Sequence, residues 1–322
     1  MKPLVSVLLP VYNGAATIRL AIESVLEQNY DNFEFVIVEN ASTDATFAII
    51  TEYSADPRIR VIRNQKTLSR LENFTKGFAA AKKESSWYKF IGDDDRLLPG
   101  CLQAMVEAGE RGKQIGLVTA QYYNVDRLVK GIFSEEENVI SGPQILRRML
   151  INPAARAAIF SPAAVLIAPE AYRALGGFRT DLLHADAELF YRLLNTYDLA
   201  YVHRPLTAIG YHRGSGQALS TVSGDTFAEA YLIRYLHLDQ YNRVKLNWFE
   251  VEQVKYNLVL DSVGFMLARL TQGDYQAVSR HFQKMPLKTR YHLLPALFYF
   301  LVLAVRKLIR REPIRLFRGE TR

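Results

Sequence analysis

The chain has 322 residues, 49% of them hydrophobic and 23% charged, a composition typical of folded globular proteins that excludes wholesale disorder. The one cysteine, Cys101, excludes an internal disulfide and a cysteine-based zinc site, which fits a reducing cytosol. The formal net charge is +7, and residues 280–322 hold 11 Lys and Arg against two acidic residues. This tail therefore carries +9 and the rest of the chain −2, a distribution that favours an anionic partner for the tail.

The N-terminal apolar run ends early, at Pro10. It is too short for the hydrophobic core of a signal peptide, so we interpret it as a strand. From there, runs of strand length alternate with stretches of helical spacing. The predicted strands are 5–10, 33–38, 58–63, 87–91, 116–120 and 165–167, and the predicted helices are 16–28, 45–53, 71–82, 100–109, 185–197, 227–241, 247–270 and 275–282. Strands that are apolar on both faces and alternate with helices predict an α/β fold with a mostly parallel sheet covered on both sides.

Two polar clusters follow predicted strands, at Glu39 to Asp44 and at Asp93 to Asp95. Ligands of such sheets bind at the carboxyl ends of the strands. Three adjacent carboxylates repel one another unless something neutralises them, and oxygen ligands suit Mg²⁺ or Mn²⁺. A solvated acidic turn is the alternative for an isolated triplet, but its position at a strand end favours the metal site.

Four segments follow one another over about residues 3 to 220: Val5–Asn13, Val36–Asp44, Phe90–Asp95 with Pro99, and Gly176–Phe178 followed by Ala185–Leu189. In their order and spacing, these segments together resemble the inverting family 2 glycosyltransferases of the bacterial cell-envelope and polysaccharide type. The resemblance implies a GT-A fold, which is Rossmann-like, here with a C-terminal helical extension. It also implies transfer of a sugar from a nucleotide-sugar.

The resemblance implies a donor site built from the first two segments. Pro10, Tyr12 and Asn13 would lie in the loop that holds the donor nucleotide. Glu39 and Asn40 occupy the positions where the family usually has two aspartates, one of which bonds the base. Because the amide of Asn40 can donate as well as accept a hydrogen bond, UDP-sugars and dTDP-sugars both remain candidate donors.

The third segment matches the metal-binding region of the family. Arg70 and Asp93 are expected to line the donor site, and Asp94 and Asp95 are the expected ligands of Mn²⁺ or Mg²⁺. Gly92 stands where the family often has an aspartate, so the register of the metal ligands within the triplet is open.

Asp186 is the expected general base, which would deprotonate the acceptor hydroxyl. Ala185 replaces the glutamate that usually precedes this aspartate, and a carboxylate stabilised by a helix N-terminus is the structural alternative for Asp186. His212 matches a late family segment that sometimes supplies a metal ligand, and Arg213 is suited to contact phosphate.

The C-terminal tail combines an apolar block, 293–305, with a basic run at 306–311. The block is shorter than the roughly 20 residues of a membrane span, which predicts a cytoplasmic protein lying peripherally on the inner face of the cell membrane. Packing in a homodimer is the alternative, and the apolar block argues against nucleic acid as the partner. The predicted organisation is a catalytic domain at 1–223, a helical region at 224–290 and the tail at 291–322.

The leading hypothesis is therefore an inverting, metal-dependent glycosyltransferase acting on a glycan or lipid-linked acceptor. A nucleotidyltransferase is the second hypothesis, but the glycine-rich basic loop expected after its first strand is replaced by Tyr12-Asn13-Gly14. A catalytically degenerate, membrane-associated scaffold is the third. Hydride transfer is disfavoured because no G-x-G-x-x-G follows the first strand.

Overall fold

The computed structural model describes residues 2–152, 161–182, 184–210, 233, 238, 244–271 and 273–284. The chain divides into two units, Met1–Arg213 and Gly214–Arg322. The tail predicted at 291–322 lies outside the described residues, as does most of the helix predicted at 227–241.

The first unit begins with four parallel strands joined by helices, in the sheet order β3-β2-β1-β4. The elements are β1 Val5–Val11, α1 Ile18–Leu26, β2 Phe33–Glu39, α2 Thr46–Glu52, β3 Ile59–Arg63, α3 Arg70–Ala80 and β4 Trp87–Phe90. These strands and helices confirm the elements predicted for this part of the chain.

Strand β1 is buried on both faces, as its apolar run predicts. Val7 and Leu9 belong to the core that includes Ile18 and Ile22 of α1. On the other face, Leu8 lies beneath α3, where a Cβ added at Gly77 would be in ordinary van der Waals contact with it at 3.8 Å. Because both faces are covered, the carboxyl ends of the central strands are where the chain can offer polar groups to a ligand.

The second half of the unit extends the sheet to ten strands, in the order β3-β2-β1-β4-β9-β6-β10-β5, with β7 on β6 and β8 on β10. Its elements are β5 Arg96–Leu97, α4 Cys101–Gly109, β6 Ile115–Asn124, β7 Arg127–Val129, β8 Val139–Ile140, α5 Gly142–Ile151, β9 Val165–Ile167, α6 Pro169–Ala174, α7 Ala185–Thr196 and β10 Asp198–Ile209. The long β6–β10 pairing is parallel, whereas the short strands β5, β7, β8 and β9 pair antiparallel. The sheet is thus mostly parallel, which confirms the predicted α/β class.

In the second unit the structure describes helices α8, Trp248–Thr271, and α9, Tyr275–Lys284. Gly273 joins them with a φ of 74°, a conformation that glycine adopts without strain. Both helices were predicted from the sequence. Neither these nor any other helix in the described part of the chain is long and apolar enough to cross a membrane.

Candidate active site

The carboxyl ends of β1, β2 and β4 lie side by side. The N–H of Asn40 donates to the Val11 carbonyl at 3.0 Å, and the N–H of Ile91 donates to the Leu8 carbonyl at 3.0 Å. These bonds bring the predicted donor-site residues Pro10, Tyr12, Asn13, Glu39 and Asn40 to the same edge of the sheet as the acidic triplet. Arg70, the first residue of α3, is exposed.

The loops that follow β1 and β2 are bonded to each other. Asn13, at a positive φ of 53° that asparagine tolerates, accepts the Thr43 N–H on its Oδ1 at 2.8 Å and donates its own N–H to Ser42 Oγ at 3.0 Å. The Ala15 N–H donates to Asp44 Oδ2 at 3.1 Å. These hydrogen bonds join the two loops at the sheet edge, and Asn13 makes two of them.

Glu39 is fully buried and its carboxylate is bonded within the protein. One oxygen accepts the Ser42 N–H at 2.5 Å and the other accepts Arg63 Nε at 3.0 Å. A buried carboxylate needs such partners. The structure thus gives Glu39 a role in shaping the loop after β2.

The amide of Asn40 belongs to a buried network of asparagines. Its Nδ2 donates to the Leu68 carbonyl at 2.9 Å, while its Oδ1 accepts the Leu68 N–H at 2.8 Å and Asn64 Nδ2 at 2.9 Å. Asn64 Nδ2 also donates to Asn73 Oδ1 at 2.8 Å. Among the described residues, the side-chain Nδ2 of Asn40 makes one of the two donor bonds of which it is capable. A base carbonyl is a suitable acceptor for the second, and uracil and thymine both have one, so this amide does not discriminate between them.

Asp93 lies against the first turn of α1. Its Oδ2 accepts the Thr17 hydroxyl at 3.4 Å. A Cβ added to Gly14 would lie 2.4 Å from the same oxygen and 2.8 Å from Val11 Cγ2, so a larger residue would have to displace these side chains. The contact joins the loop after β1 to the triplet.

Asp95 turns inward and is 5% exposed. Its carboxylate accepts the Gly92 N–H at 2.9 Å and the Gly210 N–H at 3.3 Å. Burial, and then the charge of Asp94, raise the pKa of Asp95 to about 7. The side chain thus closes the triplet loop on itself and joins it to the residue that follows β10.

Gly210 is packed against the backbone of the triplet. A Cβ at this position would lie 2.2 Å from the carbonyl oxygen of Asp94. His212 and Arg213, the predicted metal ligand and phosphate contact, lie outside the described residues. Both roles stay predictions.

The triplet offers two partly exposed carboxylates, Asp93 and Asp94, beside the buried Asp95. Within the described ranges there is no group of three or more His, Cys, Asp or Glu side chains arranged to hold a metal ion. Mg²⁺ is usually held by one or two carboxylates and completed by substrate phosphates and water. The residues present fit a cation site whose coordination the phosphates of a bound nucleoside diphosphate would complete.

Asp186 lies in the first turn of α7 and is partly exposed. The chain reaches α7 through the Gly176–Gly177 turn, in which both residues have positive φ, and then through Phe178. The ring of Phe178 packs against Phe74 at 5.0 Å, and Phe74 packs against Phe90 at the end of β4 at 4.3 Å. This aromatic contact links the strand that carries the triplet to the segment that leads to Asp186.

A buried ion pair that the sequence reasoning missed fixes the same turn. Arg192 Nε donates to both carboxylate oxygens of Glu188, at 2.8 and 2.9 Å, and its NH2 donates to the Gly177 carbonyl at 2.6 Å. NH1 donates to the Leu175 carbonyl. The Glu-x-x-x-Arg spacing on a helix was the available signal. The pair connects α7, and hence Asp186, to the turn before it.

Residues 6–164 match the sequence profile described as Glycosyl transferase family 2. The chain belongs to glycosyl transferase family 2. This confirms the family inferred from the four sequence segments.

Two curated relatives are similar to this chain in sequence. An uncharacterized protein of Mycobacterium tuberculosis is 31% identical over 64% of this chain and 66% of its own length. The UDP-Glc:alpha-D-GlcNAc-diphosphoundecaprenol beta-1,3-glucosyltransferase WfaP of Escherichia coli is 28% identical over 44% of this chain and 55% of its own length. The chain thus spans between about half and two thirds of the length of these relatives.

Two solved structures share the fold. TarS 1-349 of S. aureus, in complex with UDP-GlcNAc, has a TM-score of 0.64 at 16% identity and covers 99% of this chain and 98% of its own. The mannosyltransferase PcManGT of Pyrobaculum calidifontis, in complex with GDP-Man and Mn2+, has a TM-score of 0.55 at 15% identity, covering 97% and 89%. At these identities the likeness establishes the GT-A fold alone, as predicted.

Proposed function

We propose that this family 2 glycosyltransferase moves a sugar from a UDP- or dTDP-sugar to a hydroxyl of a glycan or lipid-linked acceptor, with inversion. The observation that carries the proposal is the acidic triplet, held at the sheet edge by the Asp93–Thr17 and Asp95–Gly210 contacts. The names of the E. coli glucosyltransferase and of the TarS complex, which contain UDP-Glc and UDP-GlcNAc, support a UDP-sugar donor.

In this proposal the loops after β1 and β2 bind the nucleotide and the triplet receives its diphosphate. Asp94, with Asp93 beside it, would hold Mn²⁺ or Mg²⁺, and such an ion supplies positive charge to the departing nucleoside diphosphate. The predicted role of Asp95 as a second ligand stays a prediction. Its bonds to Gly92 and Gly210 keep the loop in the shape that presents Asp94.

Asp186 acts as the base. It takes the proton of the acceptor hydroxyl as that oxygen attacks the anomeric carbon from the face opposite the nucleotide. The new C–O bond forms while the bond to the phosphate oxygen breaks, so the configuration inverts and a nucleoside diphosphate leaves. The Glu188–Arg192 pair positions the helix that carries Asp186.

We further propose that the protein works at the cytoplasmic surface of the membrane. The +9 charge of residues 280–322 would draw the tail to anionic headgroups. Such a location suits an acceptor linked to a lipid, and the name of the E. coli relative, which contains diphosphoundecaprenol, is consistent with it.

The experiment is a donor panel. Purified protein is incubated with UDP-, dTDP- and GDP-sugars, with Mn²⁺ or with EDTA, and the release of nucleoside diphosphate is measured. We expect slow hydrolysis of one UDP- or dTDP-sugar that requires the metal. Absence of metal-dependent nucleoside diphosphate release for every donor would contradict the proposal and favour a degenerate scaffold.

A further inference from the structure

Three buried amide side chains meet at the ends of β2 and β3. Asn40, Asn64 and Asn73 are 3%, 5% and 3% exposed. Lys76, which lies three positions after Asn73 on α3, adds a partly buried ammonium group to the same set. We call these four residues the amide network. Because buried amides must form hydrogen bonds, the bonds within the network decide what each group can still offer to a ligand.

The direction of these hydrogen bonds is fixed from both ends of the network. At one end the Lys76 ammonium, which can only donate, donates to Asn64 Oδ1 at 2.6 Å. Asn64 therefore uses its Nδ2 as the donor to Asn40 Oδ1 and Asn73 Oδ1, at 2.9 and 2.8 Å. At the other end the Leu68 N–H donates to Asn40 Oδ1 at 2.8 Å, and the Leu68 carbonyl accepts Asn40 Nδ2 at 2.9 Å. Both ends thus require the same orientation of the Asn40 amide.

This orientation makes Asn40 a donor toward any ligand. A carbonyl oxygen has two lone pairs, and on Asn40 Oδ1 they accept the Leu68 N–H and the Asn64 Nδ2. The capacity that remains to the side chain is therefore that of its Nδ2 group. An aspartate, which the family usually has at this position, could only accept, and one of its oxygens would face the Leu68 carbonyl.

We propose that the amide network makes Asn40 bind the base of the nucleotide-sugar at a ring carbonyl oxygen, with Asn64 as the positioning residue. The inference rests on the proposed function, in which the loops after β1 and β2 bind the nucleotide. A carbonyl of uracil or thymine accepts the Asn40 N–H. A ring N–H or an exocyclic amine in the same place would meet a second donor, which is unfavourable for both groups.

Nucleotides with sulfur in the base test the carbonyl contact. Sulfur accepts hydrogen bonds weakly, so exchange of the contacted oxygen for sulfur removes most of the bond. Calorimetry with Mn²⁺ measures the binding of the nucleoside diphosphate that the donor panel identifies, UDP or dTDP, and of its 2-thio and 4-thio analogues. We expect one analogue to bind the wild type about three- to tenfold more weakly than the parent nucleotide, which corresponds to the loss of one neutral hydrogen bond.

Asn64→Leu removes the positioning residue and keeps a side chain of similar size. We expect the penalty for the thio analogue to disappear in this variant, because Asn40 is no longer held. A loss of folded protein would lower the amount that binds without changing the ratio of the two affinities. Lys76→Met removes only the bond to Asn64 and should reduce the penalty in part. The matched control, Lys66→Met, removes an exposed lysine of the loop before α3 and should keep the wild-type penalty.

Asn40→Asp is the second test. The amide network predicts that this variant binds the parent nucleotide at least about threefold more weakly, since the new carboxylate faces the Leu68 carbonyl. Equal or tighter binding by Asn40→Asp would overturn the inference. A thio penalty that persists unchanged in Asn64→Leu would overturn it too.

The release of nucleoside diphosphate by the wild type is measured in parallel. Metal-dependent release together with equal affinities for all three nucleotides would overturn this inference and leave the proposed function standing. Absence of release from every donor would instead be a failure of the proposed function.

Discussion

Replacing Gly210 by alanine should separate the acidic triplet from the end of β10. The new Cβ would lie 2.2 Å from the Asp94 carbonyl oxygen, whereas ordinary contacts begin at 3.4 Å. In a close-packed site the two backbones must therefore part by about 1 Å. The movement also lengthens the 3.3 Å bond from the Gly210 N–H to Asp95. Overpacking of this kind costs about 1–3 kcal/mol of stability, and a misplacement of about 1 Å can cost about a hundredfold in rate.

The assay is the initial rate of nucleoside diphosphate release over a range of donor concentrations, with urea unfolding measured in parallel. We expect kcat/KM of Gly210→Ala to fall by about a hundredfold. Gly264→Ala is the control, because its Cβ would meet nothing within 4 Å and alanine is favoured over glycine inside a helix by about 1 kcal/mol. Wild-type kcat/KM for Gly210→Ala would refute the reasoning that this contact positions the triplet.

Three further predictions concern stability. Glu188→Gln leaves the buried Arg192 guanidinium without its carboxylate and should lower the free energy of unfolding in urea by about 3–5 kcal/mol. Lys255→Ala breaks an exposed pair and should lower it by at most about 1 kcal/mol. Equal losses of unfolding free energy in the two variants would contradict the role of the buried pair. Ser69→Ala removes the N-cap of α3, where the hydroxyl accepts the Glu72 N–H, and should lower the unfolding free energy by about 1 kcal/mol; no change by circular dichroism melting would count against it. Burial raises the pKa of Tyr172 from 10.0 to about 12. As the pH rises, the phenol therefore ionises in the unfolded chain before it ionises in the folded protein. The stability that the neutral phenol contributes is complete below pH 10 and is lost as the pH rises towards 12. Tyr172→Phe should therefore flatten the decline of unfolding free energy over that range, and an unchanged slope would exclude the assignment.

The sequence predicted the first four strands because each is a short apolar run bounded by loop residues, as Val5–Val11 illustrates. It did not predict β10, although that strand has 12 residues. The apolar pattern of this strand is interrupted by the polar pair His203-Arg204 and by Pro205, which has no N–H to donate. The register of pairing with β6 shifts on both sides of Pro205. Pairing with β6 stabilises this strand, and the local sequence pattern does not predict that pairing.

The site was predicted at the level of strand ends, and its side-chain orientations were not. Glu39 and Asn40 were expected in the donor site, which stays a prediction, whereas their bonds to Arg63 and Leu68, 24 and 28 positions further along the chain, were not foreseen. Likewise, Gly14 and Gly210 lie against the acidic triplet, and a side chain at either position would collide with Asp93 or with the backbone of Asp94. Contacts of this kind depend on how distant loops meet, which the spacing of residues does not specify.

The most direct test of sugar transfer at this site compares Asp186→Asn with Asp181→Asn. Asp181 is a nearby exposed carboxylate paired with Arg179 at 2.6 Å, so its substitution controls for loss of a charge. Calorimetry measures UDP binding with Mn²⁺, and turnover is measured with the donor found in the panel. We predict that Asp186→Asn binds UDP as the wild type does and loses at least about a hundredfold in the turnover of that donor, while Asp181→Asn retains both. Full turnover by Asp186→Asn would contradict the account.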